Sequence, residues 1–216
     1  MALKEKKSGN YLSIIDGSLR KSVPEGTEGA IKREYETSDK KKGVKWELVY
    51  ASLSGKITSI KFFDSEFGKQ LSIAIKDDET YFVQLPYKGR YAMDLMKKLP
   101  NVDLEKEVEI APFDFFGDNG KPIKGVSVMQ GNEKVKNFFY DEATKKEKEI
   151  PQIEKEVDQM DSDDWQIHFT TVAKFLQSYI EKNVASKLEN KVIGEEIMED
   201  DIKYPEEEIN PEDIPF

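Results

Sequence analysis

Apolar and polar residues alternate with a period of two along much of the first 130 positions, the spacing that sets every second side chain on one face of a β-strand. Tyr11-Leu-Ser-Ile-Ile15, Asp16-Gly17 and Ser18-Leu-Arg-Lys-Ser-Val23 predict a strand, a tight turn and a second strand. After the loop Pro24 to Gly29, residues Ala30 to Thr37 alternate again, and Ser38 to Gly43 is a basic turn. Val44, Trp46, Leu48 and Tyr50 then alternate with Lys45, Glu47, Val49 and Ala51. The pattern runs on through Lys56 to Phe63, so it predicts one long strand bent or bulged at Gly55. A hairpin loop, Asp64 to Lys69, leads to the alternating Leu71, Ile73 and Ile75. Asp77-Asp78-Glu79 turns the chain into Thr80 to Leu85, stopped by Pro86. The period then changes: Ala92, Leu95, Met96 and Leu99 lie on one face of a short helix ended by Pro100. Glu107 to Phe116, the turn Asp118-Asn119-Gly120 and Pro122 to Met129 complete the alternating region.

A long bent strand, two more strands, a helix and two further strands form the order of an OB-fold, a five-stranded barrel with its helix between the third and fourth strands. The expected class is therefore mainly β with helices: an OB-fold barrel with added N-terminal β-structure. Beyond Gly131, Phe138-Phe-Tyr140 either closes the barrel or begins the exit from it. Lys145 to Asp164 is dominated by charge. Ser162 suits a helix cap with Asp163 and Asp164 behind it. Trp165, Phe169, Val172, Leu176, Tyr179 and Ile180 form an apolar stripe that Val184 and Leu188 extend, with Gly194 as the stop. Packing on the body is the expected role of that stripe.

Hydrophobic content of 38% against 35% charged residues implies a modest core with solvated appendages. No run of eighteen apolar residues occurs, and no apolar segment follows Met1 to Lys7, so neither a membrane span nor a signal peptide is expected and a cytoplasmic location fits. With no cysteine, disulfides and thiolate metal sites are excluded. The net charge of -10 is unevenly spread: residues 1–140 carry +3, residues 141–194 carry -4, and residues 195–216 carry -9. A mildly basic body is thus joined to an acidic rear, a division that suits phosphate binding by the body.

The acidic rear contains Glu206, Glu207, Glu208, Glu212 and Asp213, is broken by Pro205, Pro211 and Pro215, and closes on Asp213-Ile214-Pro215-Phe216. Such a segment buries too little to fold. An acidic run with this terminal tetrapeptide resembles the C-terminal tip of bacterial single-stranded-DNA-binding proteins. That resemblance implies an OB-fold core that binds DNA and a disordered tail whose last four residues recruit replication and repair proteins. Asp213, Ile214, Pro215 and Phe216 are accordingly the expected partner-binding residues. The family's N-terminal barrel sequence and its Gly- and Gln-rich linker are missing, and the helix from Trp165 to Leu188 has no place in its pattern. A diverged phage-encoded member fits better. On this reading the chain divides into a basic arm (1–10), an OB-fold DNA-binding domain with its β-extension (11–140), a charged linker or insertion (141–161), a helix packing on the body (162–194) and a disordered acidic tail (195–216).

Binding single strands without reading sequence requires flat rings for bases and cations for phosphates. The alternating region supplies Lys45, Trp46 and Tyr50; Lys56, Lys61, Phe62, Lys69 and Lys76; Tyr81 and Phe82; and Tyr87, Lys88, Arg90 and Tyr91. Tyr87 and Tyr91, in a charged strand-to-helix loop, are expected to be exposed. Phe113 and Phe115 share one strand face and add two more rings. An enzyme is not expected: His168 sits beside an apolar helix stripe, Asp77-Asp78-Glu79 reads as a solvated turn, and no phosphate-loop, dinucleotide or zinc-protease motif occurs. The expected function is non-catalytic single-stranded DNA binding in replication, recombination and repair, with no cofactor and no metal. RNA stays open as a ligand. An OB-fold adaptor that barely touches DNA is the alternative, and a metal-dependent nuclease is a distant third.

Overall fold

Alternation becomes strand almost wherever the sequence carries it. The computed structural model describes residues 9–36, 40, 42–66, 68–118, 120–153, 155 and 159–188. The expected arm up to Ser8, the stop at Gly194 and the acidic tail lie outside the described residues. The strands are β1 (Asn10–Ile15), β2 (Ser18–Val23), β3 (Ile31–Glu36), β4 (Lys42–Tyr50), β5 (Leu53–Ser65), β6 (Gly68–Lys76), β7 (Thr80–Pro86), β8 (Glu107–Phe116) and β9 (Pro122–Gln130). Short pieces follow: β10 (Glu133–Lys134), β11 (Tyr140–Asp141) and β12 (Lys146–Glu147). Two α-helices, α1 (Arg90–Lys98) and α2 (Ser162–Ile180), complete a mainly β chain.

Ten strands make one mixed sheet in the order β10-β9-β8-β5-β6-β7-β1-β2-β4-β3. The single long strand expected from Val44 to Phe63 is instead two, separated at Ala51 and Ser52. β4 serves β2 and β3, whereas β5 serves β6 and β8. A continuous strand could not occupy both places, and alternation carries no information about partners. Gly55 holds φ at +148°, and a Cβ there would lie 2.6 Å from the carbonyl oxygen of Lys76 on β6. The bulge itself falls between Ile57 and Ser59.

Strands β5, β6 and β7, then α1, then β8 and β9 keep the expected order, but they do not close into a five-stranded barrel. Closure would require β7 to meet β9. β1 takes that edge instead, parallel to β7, with Leu12 opposite Val83. The sheet nevertheless coils far enough for the β1–β2 turn to reach β8. Gly17 (φ +69°) packs there so tightly that a Cβ would stand 2.5 Å from the Asp114 nitrogen. Among the described residues no strand pairing accompanies that approach.

One apolar cluster draws on β1, β2, β5 to β9 and both helices, including Leu19, Leu71, Ile73, Ile75, Leu85, Leu95, Met96, Ile110, Leu176 and Ile180. Each such side chain contributes about 1.5–3 kcal/mol on burial. Phe139 is fully buried and meets Phe138, Phe175 and Tyr179 edge-on at 4.9 to 5.8 Å, which seats α2 on the body. The N-cap of α2 is Asp161, one residue before the expected Ser162. Its carboxylate accepts from the Asp163 and Asp164 N–H groups at 2.9 Å, and Asp164 accepts in return from the Asp161 N–H at 3.1 Å. Val172, Leu176, Ile180, Val184 and Leu188 are buried. Trp165 and Phe169, expected in the same stripe, instead stack on each other near the head of the helix, 5.6 Å apart, with Phe169 exposed. No helix among the described residues is long and apolar enough to cross a membrane.

Candidate nucleic-acid interface

Strand register assigns faces, because directly opposed residues point the same way and successive residues point oppositely. Ile57, Ile60, Ile73, Ile75, Val83, Leu85, Leu12 and Ile14 face the core. The opposite face of β5, β6, β7 and β1 carries Lys56 opposite Lys76, Lys61 opposite Ser72, Phe63 opposite Gln70, Phe82 opposite Ala74, and Tyr11 opposite Phe82. The helices are seated on the other side, where Leu95 and Leu176 join the core. Ser59, Ser72 and Ala74 give this face a floor of small side chains between Phe63 and the Tyr11–Phe82 pair. Those two rings stack with centroids 5.3 Å apart and planes 30° apart, and Tyr11 is 52% exposed.

Lys61 and Lys76 are exposed and have no ion-pair partner among the described residues; Lys56 lies 3.4 Å from Glu105. Glu107 and Glu109 follow on β8, so the basic strip is bounded by acids on that side. At the far end, Glu79 is held by the Asn10 side chain, which donates to it at 2.6 Å. Burial, then the charge of Glu79, pushes the Tyr81 hydroxyl above its ordinary value and keeps it neutral. A face of this build offers rings for stacking, cations for phosphates and room between them, the two requirements for holding a single strand.

Four of the expected residues thus come together, Lys56, Lys61, Lys76 and Phe82, and they are joined by Phe63 rather than by the expected Phe62. Phe62 and Tyr81 point to the core side and are partly buried against it. Lys69 also points that way; its Nζ stands 5.7 Å from the Tyr87 ring and donates to Gln177 of α2 at 3.4 Å. Tyr87 is a core residue, contrary to its expected exposure, because the chain after Pro86 turns onto α1 and folds the ring beneath it. Tyr91 is half-buried, and its hydroxyl accepts from the Gly17 N–H at 2.9 Å, tying the β1–β2 turn to α1. Lys88 and Arg90 remain exposed.

The other expected residues lie elsewhere. Trp46 and Tyr50 share one face of β4, while Lys45 is on the other, 5.3 Å from the Tyr35 ring. Phe113 and Phe115 sit on the part of β8 beyond its pairing with β5, tilted against each other at 5.7 Å, with Ile123 opposite Phe115. Asp213, Ile214, Pro215 and Phe216 lie outside the described residues. Tyr11 was not among the expected site residues. Its signal was its alternation with the buried Leu12 and Ile14, which already placed it on the outer face. Among the described residues, no three acidic or imidazole side chains converge as a metal site. No family model, curated protein or solved structure matches this chain.

Proposed function

We propose that the protein binds single-stranded DNA, largely without reading its sequence, through the outer face of β5, β6, β7 and β1. The observation that carries this reading is the meeting of Lys56, Lys61 and Lys76 with Phe63, Phe82 and Tyr11 on a face that no helix of the described residues covers. The order from β5 through α1 to β9 supports an OB-type arrangement opened by the insertion of β1. The resemblance of Asp213 to Phe216 to the tips of single-stranded-DNA-binding proteins supports a second role, recruitment of replication, recombination or repair proteins by the acidic segment.

Fluorescence titration with poly(dT), duplex DNA and RNA across a salt series tests the reading. Single strands should bind in preference to duplex, with log affinity falling against log salt at roughly 0.7 per phosphate contact. The double variant Lys61→Ala/Lys76→Ala should weaken binding and flatten the slope by about 1.4, two contacts' worth. Equal affinity for duplex, or an unchanged slope in the double variant, would remove this face from the reading. Failure of the intact protein to bind any single strand would leave the adaptor role alone standing.

A further inference from the structure

Strand β3 ends the ten-stranded order, and no strand of the described residues lies beyond it. A free edge presents unpaired N–H and C=O groups, and charged side chains on such an edge ordinarily keep like edges apart. The charges of β3 are instead sorted by sign along six residues: Lys32 and Arg33 come first, Glu34 and Glu36 after. Lys32 and Glu34 are 51% and 79% exposed and 3.5 Å apart. Arg33 is already satisfied, donating to Glu47 through Nε at 2.8 Å and Nη2 at 2.7 Å.

A strand with one sign at its start and the other at its end is complementary to itself when reversed. We propose that β3 pairs antiparallel with β3 of a second copy of this chain, about a two-fold axis through Arg33, joining two sheets edge to edge. A two-fold of this kind sets one residue opposite itself and pairs the rest symmetrically. Centred on Arg33, it places Lys32 opposite the second copy's Glu34, and Glu34 opposite its Lys32. Ile31 falls opposite its Tyr35. The one like pair is Arg33 with its counterpart, each guanidinium held by the Glu47 carboxylate of its own chain. Centring on Glu34 would oppose two exposed acids, so that register is disfavoured. The neighbouring surface also gains cover: Ile31 and Val44 are 48% and 49% exposed. Six residues a side make a small interface, so the dimer is weak and concentration-dependent.

The test uses the full chain in sedimentation equilibrium from micromolar to millimolar concentration. The wild type should dimerise within that range. Lys32→Glu alone, and Glu34→Lys alone, set like charges across the junction at both pairs and should each weaken self-association about tenfold or more. Mixed in equal amounts, the two variants have opposite charges at every cross-strand pair and should recover a dimer of wild-type strength. Neither side chain touches the core, and circular dichroism will report whether both variants fold. A wild type that stays monomeric throughout, single variants that associate as the wild type does, or a mixture that remains monomeric would each overturn the proposal.

Discussion

The body around β5, β6 and β7 and the wing formed by β3 and β4 are built from similar alternating sequence yet held together by different forces. In the body, one side of the sheet is lined by Ile57, Ile60, Leu71, Ile73, Ile75, Val83 and Leu85, covered by two helices. In the wing, Val44, Trp46, Leu48 and Tyr50 alternate just as cleanly, but no helix of the described residues lies over them, and the only buried residue among the described residues of both strands is Glu47. Arg20 and Arg33 hold that carboxylate from β2 and β3. A period-two pattern states that a strand has two faces; whether either is buried depends on what else the chain has to place against it.

The sharpest way to widen the contrast is to cut into the body. Phe139→Ala removes a fully buried ring from the contact between α2 and the sheet. It should cost about 3–5 kcal/mol in urea denaturation. A loss below ~1 kcal/mol would mean that α2 does not depend on this ring.

In the wing the corresponding blow is electrostatic. Glu47→Gln leaves Arg20 and Arg33 without their shared carboxylate and should cost about 2 kcal/mol. Amide exchange in β3 and β4 should then accelerate roughly thirtyfold while that in β6 stays unchanged. The hydrogen bond from Arg33 holds the Glu47 carboxyl below its ordinary value, against the upward push of burial. Because the folded value lies below the unfolded one, this stabilisation is complete above the ordinary glutamate range. It is lost as pH falls through the depressed folded value, so the wing should open in acid. Exchange in the Glu47→Gln variant should lack that acid dependence. The smallest effect is expected from Val44→Ala, which removes two methyl groups from a half-exposed wing position. Its cost should stay under about 1 kcal/mol in the same urea series, and a larger value would show that something covers this face in solution.

The positions of most strands and of both helices were legible because periodicity is a local property. Where those strands sit was not. Val44 to Phe63 read as one strand since alternation survives the break at Ala51 and Ser52, although its halves lie five places apart in the sheet. The barrel expectation failed for the same reason: nothing in Tyr11 to Ile15 announces a parallel partner at Tyr81 to Gln84. For the candidate site, the basic strip of Lys56, Lys61 and Lys76 was visible in sequence, and so was Phe82. Tyr87 misled because its charged neighbours suggested exposure, whereas the ring follows the turn into α1 and is only 7% exposed. Trp46 and Lys45 are adjacent in sequence and therefore on opposite faces, which proximity alone conceals.

The parallel seat of β1 has a consequence for biosynthesis. Its hairpin with β2 is local and can form within microseconds, but Leu12 and Val83 are about seventy residues apart. At roughly 5–20 residues per second, β1 waits several seconds after leaving the ribosome before β7 exists to receive it. During that interval Leu12 and Ile14, both destined for the core, lack their cover and β1 has one open edge. The nascent chain therefore passes through a period of aggregation risk set by topology, one that ends only when the third strand of the body has emerged.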